Sequence, residues 1–249
     1  MDLFTYALGF FKTGETEVLV PDLTGGETEM TVTLKKETFA GRKFDRVRIL
    51  SQWTCAEAGE EGYLFYPATG AYGCALTRFA EREDAAFDSL ISAMPVAGLG
   101  GSGRACMVHV IGMQDECRFH VEVKQNRYSL FPEFVLDGDE PDGDLTVHYR
   151  LMPGAGYSEM AREYRAYQLA HGCVPLKEKA ALREAVCYAA EAPEIRVRMG
   201  WKEVPTPVRH QTDATEPPVL MVCDVEKLRK LTLAMKRHGV EKAEICLVG

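Results

Sequence analysis

Val219-Leu220-Met221-Val222-Cys223-Asp224 reads differently from the chain before it. Five apolar residues with no polar residue between them suit a strand covered on both faces, as in a parallel sheet. Asp224 stands at a helix N-cap position, and Val225, Leu228, Leu231 and Met235 repeat behind it at helical spacing. Glu226 and Lys230 lie four apart in the favourable order. Lys236, Arg237 and His238 complement the helix dipole before Gly239 stops the helix. Ala243–Val248 is a second apolar run. Strand, helix and strand within about 30 residues predict a right-handed βαβ unit over 219–249.

Upstream, residues 205–218 hold four of the twelve prolines (205, 207, 217 and 218) and no apolar periodicity, which marks a linker. Residues 154–204 form a helical connector and a returning strand. Ser158 is placed to cap a helix over Glu159–His171 with Gly172 as its stop, and a second helical stretch covers Leu176–Ala190. Ile195, Val197, Met199 and Trp201 then alternate with Arg196, Arg198 and Gly200.

Residues 1–153 have a period of two. Met30, Val32 and Leu34 alternate with polar residues, as do Val47, Ile49, Ser51 and Trp53. Gly62–Tyr66 and Tyr72–Phe79 flank a turn signal at Pro67–Gly70. Ala105–Met113, Cys117–Tyr128, Leu130–Leu136 and Leu145–Leu151 follow, with Phe119, Val121 and Val123 inward. About ten short strands without an intervening helix predict an antiparallel sandwich. A two-stranded parallel sheet with one helix cannot cover both its faces, and a (β/α)8 barrel takes about 250 residues. Only 31 residues follow Pro218, so the chain is expected to be a β domain plus the opening of an α/β domain.

Composition narrows the function. The 249 residues are 46% hydrophobic and 27% charged, which excludes disordered, collagen-like and coiled-coil chains. Lys+Arg 29 against Asp+Glu 37 gives a net charge of −8 with no basic stripe, which argues against nucleic acid and anionic lipid as partners. No stretch reaches the ~18 apolar residues of a membrane span, and Asp2 stands where a signal peptide carries positive charge. A cytoplasmic location is the expectation. Eight cysteines without a C-x-x-C are expected to be reduced and mostly buried.

Three motifs compete with plainer readings. Gly98-Leu99-Gly100-Gly101-Ser102-Gly103 has G-x-G-x-x-G spacing, but a strand follows where a dinucleotide site needs a helix, so an inter-strand loop is expected. Asp137, Asp139, Glu140, Asp142 and Asp144 miss the calcium-loop pattern, because Pro141 and Asp142 take its ligand and glycine positions. Glu140-Pro141-Asp142-Gly143 reads as a turn. His109, His120 and His148 lie on strands, where two could meet across a ladder. His120 with Glu122 is the pair that could do acid–base work on a sugar.

The phrases Glu61-Gly62-Tyr63-Leu64-Phe65-Tyr66-Pro67, Tyr157-Ser158-Glu159-Met160-Ala161-Arg162-Glu163-Tyr164-Arg165-Ala166-Tyr167 and Gly239-Val240-Glu241 leading to Ile245-Cys246-Leu247-Val248-Gly249 occur in this order. Together they resemble the N-terminal region of bacterial glycoside-hydrolase-like proteins related to endo-α-N-acetylgalactosaminidases. The resemblance implies a galactose-mutarotase-like antiparallel β-supersandwich followed by an incomplete (β/α)8 barrel start. It also implies a parent enzyme that uses two barrel carboxylates, both on later strands.

Of the residues present, Asp224 matches a barrel strand end and is assigned a substrate hydroxyl contact. Trp201 and Lys202 offer an aromatic platform and a cation for a carbohydrate. No catalytic residue, metal ligand or cofactor is assigned. The expected partner is a carbohydrate ligand, and the open barrel edge is expected to promote self-association. Two other functions fit the same residues: a non-catalytic carbohydrate-binding or structural module, and a mutarotase-type sugar epimerase using His120 and Glu122.

Overall fold

The computed structural model describes residues 5–67, 74–89, 94–101, 103–202, 212 and 214–248. Residues 68–70 of the expected turn, Ser102 and most of the proline-rich stretch lie outside the described residues. The chain forms two compact units, residues 1–168 and 169–249.

Alternation builds the first unit. Its strands are β1 (Thr5–Phe11), β2 (Thr16–Leu19), β3 (Asp22–Gly25), β4 (Glu29–Leu34), β5 (Phe44–Ser51), β6 (Cys55–Glu57) and β7 (Tyr63–Pro67). They continue with β8 (Cys74–Arg78), β9 (Ala85–Asp88), β10 (Val96–Gly101), β11 (Arg104–Gly112), β12 (Cys117–Lys124), β13 (Arg127–Val135) and β14 (Leu145–Leu151). All ladders are antiparallel, and they form two sheets. Sheet one runs β2-β1-β5-β13-β12-β9, with β6 also on β13; sheet two runs β3-β4-β14-β11-β10-β7-β8.

The two sheets bury their facing sides in one cluster. Val47, Ile49, Phe119 and Val121 of sheet one meet Val32, Val108, Val110 and Val147 of sheet two. Burial of each such side chain contributes about 1.5–3 kcal/mol. Tyr149 is fully buried, and its hydroxyl donates to the Ile49 carbonyl of the opposite sheet at 3.3 Å. Cys117–Tyr128, expected as one strand, is broken by a two-residue hairpin. Gln125 and Asn126 have φ of 51° and 62°, the pair of left-handed residues that a type I′ turn requires. The hairpin sets Val121 opposite Leu130. Of the described cysteines, Cys106 and Cys117 alone are buried, fewer than expected, and burial pushes the Cys106 thiol up to about 12.

The outer face of sheet two is covered as well. Phe65, Val96, Ala105 and Met107 pack against fully buried Met160 of α1 (Tyr157–Ala170). The helix starts two residues earlier than expected, at Tyr157 rather than Glu159. Gly156 is the N-cap; its N–H donates to the Glu159 carboxylate at 2.9 Å, while Ser158 lies inside the first turn. Gly98–Gly101 of the glycine-rich motif lie in strand β10 rather than in a loop, with a ladder on each side. A Cβ on Gly98 would stand 2.6 Å from the Phe65 ring and 2.8 Å from the Met160 sulfur, so the missing side chain is what lets the helix approach.

In the second unit come α2 (Leu176–Leu182), α3 (Glu184–Glu191), β15 (Glu194–Arg198), β16 (Gly200–Trp201), β17 (Leu220–Met221), α4 (Val225–Arg237) and β18 (Glu244–Val248). The expected second helix is divided at Arg183. The expected ladder between 219–223 and 243–248 is replaced. β18 pairs in parallel with β15, Ile195 opposite Ile245 and Val197 opposite Leu247. Leu220–Met221 pairs antiparallel with Gly200–Trp201. Pro217 and Pro218 have no N–H for a ladder, which limits β17 from behind. Val219 to Val222 are 43–58% exposed, so the run is not covered on both faces among the described residues. Among the described residues, no helix is long and apolar enough to cross a membrane.

Gly98→Ala should therefore lower the unfolding free energy by about 1–3 kcal/mol through overpacking against Phe65 and Met160. Urea unfolding measures this, and an unchanged midpoint would mean that α1 does not depend on the close approach.

Candidate functional site

The residues assigned to substrate lie at the carboxyl end of β15. The Met199 N–H donates to the Val248 carbonyl at 2.7 Å, extending the parallel pair. The Met199 carbonyl accepts from Val222 at 2.9 Å and Cys223 at 3.0 Å. Trp201 faces Leu220 across the short ladder. These bonds bring the segments bearing Trp201, Lys202 and Asp224 to one end of the sheet.

Asp224 accepts the Lys227 N–H at 2.7 Å and so caps α4. Lys202 pairs with Glu216. Trp201 is 45% exposed and presents ring surface. An exposed indole suits the C–H face of a sugar ring, while the Lys202 ammonium is engaged by Glu216.

A second constellation, missed from the sequence, lies on the outer side of sheet one. Glu133 of β13 is fully buried. Its carboxylate accepts from Arg48 at 2.5 Å and from Arg118 at 2.8 and 2.5 Å, with Arg46 at 3.6 Å. Arg48 also lies 4.9 Å over Phe10 and 5.3 Å over Phe131. Burial pushes the Glu133 carboxyl up, but the hydrogen bonds and charges of Arg48 and Arg118 outweigh it and hold the group below the ordinary carboxylate value. The visible trace was an acid within the apolar run Phe131-Pro132-Glu133-Phe134.

His120 joins the edge of this cluster. Its Nδ1 is 2.5 Å from the Asp88 carboxylate of β9, so Asp88, not Glu122, is the acid that meets it. The donor atoms of Asp88, His120 and Glu133 lie within 4.8 Å of one another. The arginines occupy both Glu133 oxygens and surround the group with positive charge, so this set does not fit a metal cation.

His109 and His148 do meet across a ladder, as direct partners of β11 and β14. A separate apolar hollow of about 250 Å³ lies between α1 and sheet two, lined by Phe65, Met94, Val96, Tyr157 and Tyr164. Of the acidic cluster, Asp144 pairs with Lys35 at 2.8 Å, and Glu140 accepts the Gly41 N–H at 2.7 Å. These acids tie loops together.

No protein-family model and no curated protein sequence matches the chain. Solved structures do. Alpha-N-acetylgalactosaminidase NagBb from Bifidobacterium bifidum, in its GalNAc complex, superposes with a TM-score of 0.68 at 14% identity, over 97% of this chain and 46% of that one. Its Gal-NHAc-DNJ complex gives 0.64 at 14% identity, over 99% and 42%, and a quadruple mutant gives 0.64 at 12%, over 96% and 46%. The chain shares the fold of a part of these structures and spans less than half their length.

Glu133→Gln should cost about 1–3 kcal/mol at neutral pH by leaving the partly buried guanidinium groups of Arg48 and Arg118 uncompensated. Because the Glu133 carboxyl is held low, its stabilisation is present above the ordinary carboxylate range and is lost as pH falls through the lowered value. The gap between wild type and variant in urea unfolding should shrink from pH 7 to pH 3; an equal gap at both would contradict the ion cluster.

Proposed function

We propose that this chain is the β-rich, catalytically incomplete part of a glycoside-hydrolase-like protein acting on an oligosaccharide. The single observation that carries the reading is the likeness of the whole chain to α-N-acetylgalactosaminidase structures, one of them bound to GalNAc. The parallel pair β15–β18 with its crossover helix α4 supports a further step, in which the second unit opens a (β/α)8 barrel. Leu247 and Val248 of β18, at 52% and 40% exposure, are apolar surface that further barrel elements would cover, and the same edge would drive self-association.

On this reading the acid and nucleophile or base belong to later barrel strands. This chain contributes the rim of the sugar site: the Trp201 ring under the pyranose, Lys202 donating to a hydroxyl, and Asp224 accepting from another while it holds α4. A mutarotase-type epimerase is the second reading, favoured by the contact of His120 with Asp88 at 2.5 Å.

Nuclear magnetic resonance of the chain titrated with GalNAc tests the first reading. The Trp201 indole signal should shift, and Asp224→Asn should weaken binding several-fold while α4 remains formed. An indole signal that does not move at high sugar concentration removes the rim assignment. Polarimetry tests the second: anomer interconversion lost in His120→Ala would replace the first reading.

A further inference from the structure

A second hollow, of about 290 Å³, opens on the outer face of sheet two beside α1. Met107 and Ile111 of β11, His148 and Arg150 of β14, and Glu163 of α1 line it. The rings of His109 and Tyr167, 4.4 Å apart and perpendicular, form another part of the lining. All of these residues belong to the first unit.

Unlike the apolar hollow under Tyr157, this one offers hydrogen-bonding groups of both kinds. His148 is 3.0 Å from the Thr31 hydroxyl of β4 through Nδ1, so Nε2 is its second hydrogen-bonding atom. Nε2 donates in one tautomer and accepts in the other, and a hydroxyl partner meets either case. Arg150 pairs with Glu163 through one nitrogen and one oxygen. A carboxylate has a second oxygen and a guanidinium has further N–H donors. An acceptor and donors set side by side match neighbouring hydroxyls of a polyol, each of which both gives and takes a hydrogen bond. Met107, 3% exposed, and Ile111 supply apolar surface for the C–H groups of a ring.

Charge narrows the ligand class. Burial, the largest influence, holds His148 below the ordinary 6.5; Glu29 and Glu163 oppose this and Arg150 adds to it. His148 is therefore neutral above that value, and Arg150 and Glu163 cancel, so the three groups suit a neutral ligand better than an ion. Size narrows it further. Ligand pockets run from roughly 300 to 1,000 Å³, and a hollow at the small end of that range suits one ring rather than an oligosaccharide.

We propose that this hollow is a monosaccharide subsite carried by the first unit, with Arg150 and Glu163 holding neighbouring hydroxyls and His148 holding another. That the polyol is a sugar rests on the function proposed above; the subsite itself does not involve Trp201, which belongs to the second unit.

Carbon–proton nuclear magnetic resonance of the whole chain at about pH 7.5, where His148 is neutral, tests this with GalNAc, galactose and myo-inositol. The His148 ring and Met107 methyl signals should shift saturably with at least one of the two sugars. Glu163→Gln should weaken that binding about tenfold, the loss of one charged hydrogen bond. The Trp201 indole reports the rim separately in the same titration. Shifts at His148 without movement of the indole would support this subsite and remove the rim; movement of the indole alone would overturn this subsite and leave the rim. Shifts at His148 confined to myo-inositol would overturn the assignment to a sugar, and binding undiminished in Glu163→Gln would overturn the proposed contacts. The wild-type titration decides the matter if the variant does not fold.

Discussion

Sheet two has to be covered on both faces, and most of the first unit follows from that requirement. Its inner side meets sheet one through an unbroken apolar layer; its outer side carries Phe65, Val96 and Met107 and needs a second cover. That cover is α1, and it fits because Gly98 has no side chain where Met160 enters. Gly98 is thus a packing device in this fold: the missing side chain that elsewhere lets backbone approach a phosphate here lets a helix approach a strand.

Charge is handled differently on the two outer faces. Among the described residues, sheet one buries one carboxylate, Glu133, beneath arginines, and Arg48 also lies over Phe10 and Phe131. The ion pairs and the ring faces together cover this patch of the sheet. Sheet two instead buries His109 beneath α1, against the rings of Tyr164 and Tyr167.

The β architecture was legible wherever alternation was strict, as in Met30–Leu34, Val47–Ser51 and Leu145–Leu151, because one side of each strand faces the core. It failed at Gln125-Asn126, where a type I′ turn is made without glycine and apolar alternation continues on either side. Tertiary context supplies the left-handed conformation there. It failed again at Val219–Cys223, whose apolar run implied a central strand, while the prolines before it and the nearness of Met199 made it a short antiparallel arm. Asp224 as a cap was readable from local spacing, since a cap bonds three residues away. The Asp88–His120 and Arg–Glu133 contacts were not, because each joins strands whose register only the folded sheet defines.

The pairing map has a consequence for the order in which the molecule can be made. β4, near residue 30, lies against β14, near residue 150, and β5 lies against β13, more than 80 residues later. Neither sheet can be completed while only the amino-terminal hundred residues have left the ribosome. Until then the nascent polypeptide carries bare edges and an unfilled apolar interior, a state in which long loops must close before their contacts reward them. Exposed edges and apolar surface of this kind are what make incomplete β sheets prone to aggregate.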